Sequence, residues 1–556
     1  MFHSRLALAC ALCAAALSPI LASAQNGEES GEAEPIEKLF SLEIEKPGGL
    51  AFDGELLWVA DRVGMRLVGL DPQTGRQKKE LTAPGPWPTG LAFDGELLWV
   101  ADKQRNKLFG VRTSTRIVER DLPAPGNPLG LSFDGEHLWV ADGRRIHRVT
   151  REDGTTIVSF AAPAWPGEGR RKAQLGLAFH DGFLWVSDRM VDRIYRVDPE
   201  QGEVVDLFPS AGPFPGGMAA IDDRLLIVDV HERCLRELDL EKISRVVRSD
   251  PRRQRVVLRR RLENFGPDVL EEAHVYIAIP VSAPNQALDG EPEFSPEPDE
   301  IVTDRWGQRF AHWKAEEMRP GRTLDVEMTV RATLFAVRHH IVPEEVGGLR
   351  SIPREVRKLY LADGSKFAIE HPSISKHLEA ALEGEKRPYW MVRKIARYIG
   401  EHMEYELSGG WNIAPTVIDR GSGSCSEYTF VFIAMCRAAG IPARYAGSIV
   451  VRGDDASTDD VFHRWAEVYL PGYGWVPADA QAADRPAPED RGKGLGSLGN
   501  RFLITTWGGG GSKYIDWEYN SSASWTCRGR CRVGDLHLGD WFPLENQDNP
   551  PATPGQ

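Results

Sequence analysis

A twelve-residue string, Leu50-Ala-Phe-Asp-Gly-Glu-Leu-Leu-Trp-Val-Ala-Asp61, recurs at 91–102. Variants follow at 131–142 and 177–188, and a degenerate copy covers Met218 to Asp229. The landmark positions are Trp58, Trp99, Trp139, Trp185 and Ile227, with spacings of 41, 40, 46 and 42. A repeat of this kind limits the possible folds sharply. One unit of about 40 residues with several short strands cannot bury its own apolar face, so copies must stack, and the period fits the blade of a β-propeller. The first four copies carry an Asp-Gly pair between apolar runs, and the fifth has Asp222-Asp223 there. Such a pair is a hairpin-turn signal.

Leu39-Phe-Ser-Leu-Glu-Ile44 precedes the first copy and reads like the outer strand that ends each unit, as in Lys79-Glu-Leu-Thr82. Pairing with the last blade would close the ring and leave no open edge. The expectation is five blades over 38–248, with six as the alternative. The pattern resembles NHL-type propeller repeats rather than the WD type, because the Trp-Asp ending is absent. Propellers host both enzymes and binding scaffolds, so the fold alone does not decide function. The repeated Asp53, Asp94 and Asp134 read as turn residues.

A second constraint lies far downstream. Cys425 follows Gly421-Ser-Gly-Ser424 and opens an almost wholly apolar run to Ala439. That run reads as a buried helix with Ser424 as N-cap and Cys425 in its first turn. The helix dipole and a neighbouring imidazolium both lower a thiol pKa at such a place. His463 and Asp479 fall on two alternating runs joined by the turn Pro471-Gly472-Tyr473-Gly474, which predicts a hairpin. A thiol needs a base, and the base needs an orienting acceptor. Cys425, His463 and Asp479 supply these in order. Cys436 lies 11 residues on, about 16 Å along a helix, too far for a bridge to Cys425, and reads as inert core.

The stretch from Arg387 to Ala483 resembles the core domain of the transglutaminase-like superfamily. The resemblance rests on the glycine-flanked Cys425, Gly440-Ile-Pro-Ala-Arg444, the His463–Trp465 pair, and Gly474-Trp475-Val476 leading to Asp479. It implies a papain-like α+β fold and acyl transfer through a thioester on Cys425, with His463 as base and Asp479 as orienter. It also implies an upstream aromatic that helps the oxyanion, for which Tyr405 and Trp411 are both candidates, with Trp465 a further cleft residue. Asp479-Ala480 departs from the family's usual Asp-Pro. Between repeat and core, runs such as Arg255–Leu262 and Ala273–Pro280 alternate and suggest a β-sandwich over 252–345. This stretch resembles the immunoglobulin-like domain that often precedes such cores. Arg259-Arg260-Arg261 reads as a solvated strand face. The catalytic domain is expected over 350–544, with extra strands late in it walling the cleft, and a polar, Pro-rich, disordered tail over 545–556.

Met1 to Ala24 has a positive start, an apolar stretch and a small-residue end, and reads as a signal peptide. Export, to periplasm or medium, is the expectation, with no transmembrane segment. Of 7 cysteines, Cys527 and Cys531 form the one pair that an oxidising compartment could bridge; a metal site there is the weaker alternative. No cofactor and no metal site are expected. The acidic loop Asp454-Asp455…Asp459-Asp460 reads as solvated rather than calcium-binding. A net charge of −14 gives no electrostatic case for nucleic acid. Two functions compete. One is a thiol acyltransferase or cysteine protease acting on protein or peptide amides, with the propeller as target-binding module. The other is an inactive scaffold that binds protein or glycan.

Overall fold

The structure is a computed structural model. It describes residues 36–164, 175–210, 212–406, 410–450, 457–459, 462–481, 485 and 487–544. The expected signal segment 1–24, the tail 545–556 and Asp454, Asp455 and Asp460 of the acidic loop lie outside the described residues. The chain divides into two compact units. One comprises 33–244 with 485–493, and the other comprises 245–484 with 494 onward.

The first unit is a propeller of five four-stranded antiparallel sheets. Blade one, for example, runs through Pro47–Phe52, Leu57–Asp61, Arg66–Leu70 and Gln77–Thr82. The fifth blade supplies only three strands from its own repeat. Its fourth is Ile36–Ser41, antiparallel to Cys234–Asp239. The expected closure by the N-terminal strand is therefore present, and the count is five. The innermost strands also close on one another. A Cβ on Gly90 would lie 2.6 Å from Leu131 N in the next blade, one on Gly130 2.9 Å from Leu175 O, and one on Gly217 2.5 Å from Gly48 O back in blade one. Only glycine permits this approach.

The repeat spacing has a side-chain cause. Asp53 Oδ1 accepts Glu55 N and Leu56 N at 2.9 and 2.7 Å, and its Oδ2 accepts Trp58 Nε1 at 2.7 Å. Asp94 and Trp99 repeat the indole bond at 2.8 Å, and Asp134 and Trp139 at 2.9 Å. One aspartate thus shapes the turn and satisfies a buried indole. The fourth copy has His180 where the first three have this aspartate, and Trp185 Nε1 has no hydrogen-bond partner there.

The second unit opens with two antiparallel sheets sharing one apolar core. Val246–Pro267 pairs with Thr323–His339 on one side and with Cys531–Pro543 on the other. Leu270–Ala278 pairs with Arg309–Met318 and with Ser521–Cys527. Leu258, Val275, Trp313, Met328 and Trp541 meet in the core between them. The late strand Cys531–Pro543 lies beside Val246–Pro267 and also reaches the residue before His463, with the His537 ring 4.3 Å from that of Phe462. Local alternation marks a strand but not its distant partner. A disulfide joins Cys527 and Cys531. Arg260 is buried, not solvated: its guanidinium pairs with Asp535, with Nε to Oδ1 at 2.8 Å. Strand alternation turns it inward, while Arg259 and Arg261 pair with Asp325 and Glu263 at the surface.

A further four-stranded sheet runs Gly474–Ala478, His463–Leu470, Ala443–Val450, Phe502–Gly508, all antiparallel. The helix Cys425–Ala438 packs on its His463–Leu470 strand, with Ala414–Arg420 and Pro388–His402 packed behind. Every residue from Ser426 to Arg437 is buried, which agrees with the all-round apolar reading.

Candidate active site

Cys425 is the first residue of its helix and Ser424 is the N-cap, with extended φ −80° and ψ 175°. The first intrahelical bond runs from Tyr428 N to Ser424 O at 2.9 Å. The N–H groups of Cys425 and Ser426 therefore have no acceptor within the helix. Glu427 fixes this end. Its carboxylate is fully buried and accepts Ser424 N at 3.2 Å, Asn412 N and Nδ2 at 3.1 Å each, and Arg420 Nη2 at 2.9 Å. The helix start and the 410–412 loop are thus tied to one charge. Thr429 Oγ1 donates to Cys425 O at 2.8 Å and reaches Arg464 O at 3.3 Å, which couples the helix to the strand that His463 opens.

Burial pushes the Cys425 thiol up, yet its pKa falls below the ordinary thiol value. A hydrogen bond to His463 and the charges of His463 and Arg464 outweigh desolvation. The His463 ring stacks on Phe502 at 5.6 Å and lies 5.8 Å from Trp465. Asp479 donates its N–H to Gly494 O at 2.7 Å, and its Oδ1 accepts Gln481 N at 3.0 Å. The hairpin register pairs Ala466 with Ala478. Carried one step on, it sets Asp479 opposite Trp465, on the face that carries His463. Diagonal neighbours of this kind are within side-chain reach.

The aromatic candidates separate. Tyr405 is 40% exposed and its ring lies 6.2 Å from that of Tyr428. Trp411 instead sits edge-on to Tyr519 at 5.7 Å and 5.3 Å from the Arg464 guanidinium. Trp465 is buried against Phe502 at 5.0 Å, and its indole N–H has no partner.

Three neighbours of the thiol escaped sequence reasoning. Tyr519 places its hydroxyl 2.6 Å from Ser426 Oγ and 4.0 Å from Cys425 Sγ. Burial pushes this phenol up to about 12. It lies 40 residues beyond Asp479, where no local signal ties it to the site. Ser426 follows the cysteine and reads as ordinary helix. Arg464 is the third. It is 1% exposed and caged by Tyr519, Tyr445, Phe430 and Trp411, with centroids 4.4, 4.6, 5.2 and 5.3 Å from its guanidinium carbon. Its Nη2 donates to Trp517 O, while Nε and Nη1 have no hydrogen-bond partner. An arginine next to His463, in a strand buried over most of its length, was the available signal. Ring faces hold the cation by cation–π attraction, and its charge acts on the Cys425 sulfur as well as on Glu518.

Cys436 is fully buried, and desolvation raises its thiol pKa. Cys234 is buried and raised likewise. Among the described residues one group, Asp229, Glu232 and Cys234, gathers three potential metal-ligand atoms. Arg236 already pairs with both carboxylates, at 3.2 and 2.8 Å, in place of a cation.

Residues 376–480 match the model of the Transglutaminase-like superfamily. No curated protein matches the chain. Among solved structures, a Cytophaga hutchinsonii protein provisionally named a cysteine protease is similar at 17% identity and TM-score 0.39, covering 55% of this chain and 95% of its own. Myxococcus xanthus glutaminyl cyclase is similar at 16% identity and TM-score 0.33, over 36% of this chain and 94% of that one. The virginiamycin B lyase of Staphylococcus aureus is similar at 18% identity and TM-score 0.25, over 35% and 66%. The four-stranded sheet, the helix opened by Cys425 and the matched segment together make residues 376–480 a transglutaminase-like core, a domain of a cysteine-enzyme family.

Proposed function

We propose that the protein is an exported thiol enzyme that transfers acyl groups from protein or peptide amides, with Cys425 as nucleophile, His463 as proton-transfer group and Asp479 as its orienter. The observation that carries this is the lowered pKa of a thiol at a helix start, hydrogen-bonded to an imidazole. The Cys425 thiolate attacks the amide carbon, and the carbonyl oxygen becomes an oxyanion. The N–H groups at the helix start stabilise that charge, with Trp411, rather than Tyr405, as the aromatic flank. Imidazolium His463 then gives its proton to the departing nitrogen, the C–N bond breaks, and a thioester on Cys425 remains. A second nucleophile, water or a primary amine, gives up its proton to His463 and releases the acyl group. Water gives hydrolysis, and an amine gives cross-linking.

Both outcomes share every residue named. The discriminating experiment incubates the protein with casein and a labelled primary amine while following ammonia release, amine incorporation and new peptide N-termini. Incorporation marks the transferase, and new N-termini or ammonia without incorporation mark the hydrolase. No product in any channel would favour an inactive binding scaffold. The propeller serves as target-binding module in this reading, because remote binding energy raises efficiency on a large substrate.

A further inference from the structure

Tyr519 reaches the start of the Cys425 helix from 94 residues further along the chain, and its place there is fixed from several sides. Its backbone lies against Gly447 of the strand Ala443–Val450, where a Cβ would come within 2.4 Å of Tyr519 O. The next residue, Asn520, is fully buried. Its carbonyl accepts Ala278 N at 2.8 Å, and its side chain accepts Thr505 Oγ1. The Tyr519 ring is flanked by the Arg464 guanidinium at 4.4 Å, by Trp411 at 5.7 Å and by Phe462 at 6.2 Å. A hydroxyl on a ring held in this way is a preorganised donor.

That hydroxyl lies 2.6 Å from Ser426 Oγ and 4.0 Å from Cys425 Sγ. Ser426 is fully buried in the first turn of the helix. A serine within a helix often donates to the carbonyl four residues back. Here that carbonyl belongs to Ser422 and receives Arg420 Nε and Nη2 at 3.1 and 2.7 Å. The phenol oxygen is the acceptor at hand for Ser426, and with Ser426 donating to it the phenol hydrogen turns to the sulfur. Burial raises the Cys425 thiol, and His463, Arg464 and then the Tyr519 hydroxyl bring it down, which fits a phenol that donates to the thiolate. Burial pushes the phenol itself up to about 12, so it keeps its hydrogen wherever an imidazole can exchange a proton.

When the thiolate attacks a carbonyl carbon, the S–C bond forms and the C=O π pair moves onto oxygen. The negative charge leaves the sulfur for that oxygen. A donor serves the oxyanion from about 2.7–3.1 Å. With 4.0 Å between hydroxyl and sulfur, one oxygen can lie at that distance from the hydroxyl and still be bonded to the carbon on the sulfur. No proton is transferred, and the hydrogen bond follows the charge.

We propose that the Tyr519 hydroxyl is a catalytic donor to the oxyanion, acting beside the N–H groups at the helix start, and that Ser426 is the positioning residue that turns it. This role rests on the acyl-transfer reading of Cys425 and adds to it a residue beyond the matched segment 376–480.

The probe is p-nitrophenyl acetate, whose acetyl group passes to the thiolate as the C–O bond breaks and nitrophenolate departs. The rate of this burst is compared with the rate of iodoacetamide alkylation of Cys425 at the high-pH plateau, where the thiolate is complete. Alkylation displaces iodide from a saturated carbon and forms no oxyanion. Tyr519→Phe should slow the burst about 100-fold, the worth of one oxyanion donor, with the alkylation plateau and the thermal midpoint unchanged. Ser426→Ala should slow the burst about tenfold, the worth of one hydrogen bond, again without touching alkylation; it is the deciding variant if Tyr519→Phe does not fold. A Cys425-dependent burst that neither variant slows by more than about threefold, or equal losses in burst and alkylation, would overturn this role alone. A burst absent from the unaltered protein, or undiminished in Cys425→Ala, would overturn the acyl-transfer reading and this role with it.

Discussion

At the scale of single residues the account turns on how charge is arranged around one sulfur. Cys425→Ala should abolish turnover without unfolding the domain, since Cys425 opens the helix and is not among its buried core. His463→Ala should cost roughly 10²–10⁴-fold, the worth of positioned proton transfer, and Asp479→Asn should cost less, because it only orients the ring. Arg464 gives a sharper expectation. Its charge favours the thiolate, so Arg464→Met should move the midpoint of iodoacetamide labelling of Cys425 to higher pH. The sign follows from removing a cation that stabilises the charged form. An unmoved midpoint would count against the cage as an electrostatic device. Glu427 is a structural counterpart. Its buried carboxylate is held by Arg420, Asn412 and Ser424, and Glu427→Ala would leave the buried Ser424 N–H without its acceptor. Leaving a buried donor unsatisfied costs about 1–3 kcal/mol, which a drop in the thermal midpoint would reveal.

At the scale of elements, two buried histidines make the double-sheet region acid-labile. Burial lowers His339 to about 4 and His537 to about 3, against about 6.5 for the unfolded chain. Between those values and pH 6.5 the unfolded state takes up a proton that the folded state refuses. Stability therefore falls as pH drops through this window. His537→Gln should flatten the dependence, read as thermal midpoint against pH from 7 to 4. Deleting Ile36–Ser41 should open the edge at Cys234–Asp239 and cause aggregation; a soluble monomer would argue against ring closure. Elements with strong local periodicity were legible in the sequence. The repeat announced the blades because one aspartate serves both turn and indole, and the apolar run announced the helix opened by Cys425. Pairings made across long stretches of chain were not legible. Nothing near Asp535 points to Arg260, and nothing near Tyr519 points to Cys425. The choice between Tyr405 and Trp411 likewise needed the fold, because both precede the nucleophile at similar distance.

At the scale of the whole molecule, the propeller unit takes Arg485–Lys493 from beyond Asp479, so the chain crosses between units more than once. Glu489 accepts the Tyr195 hydroxyl at 2.7 Å and donates its N–H to Pro163 O at 2.8 Å. A chain beginning at Arg245 should still label rapidly at Cys425 and act on small amides, but lose efficiency on protein targets. Equal efficiency on both would deny the propeller its proposed part in target binding. The central claim is a covalent acyl group on one sulfur, and acid-quenched mass spectrometry of the protein caught during turnover tests it most directly. The account predicts a substrate-derived adduct on the peptide containing Cys425, removed by hydroxylamine and absent from Cys425→Ala. Turnover without such an adduct in Cys425→Ala, or an adduct confined to Cys234 or Cys436, would contradict it.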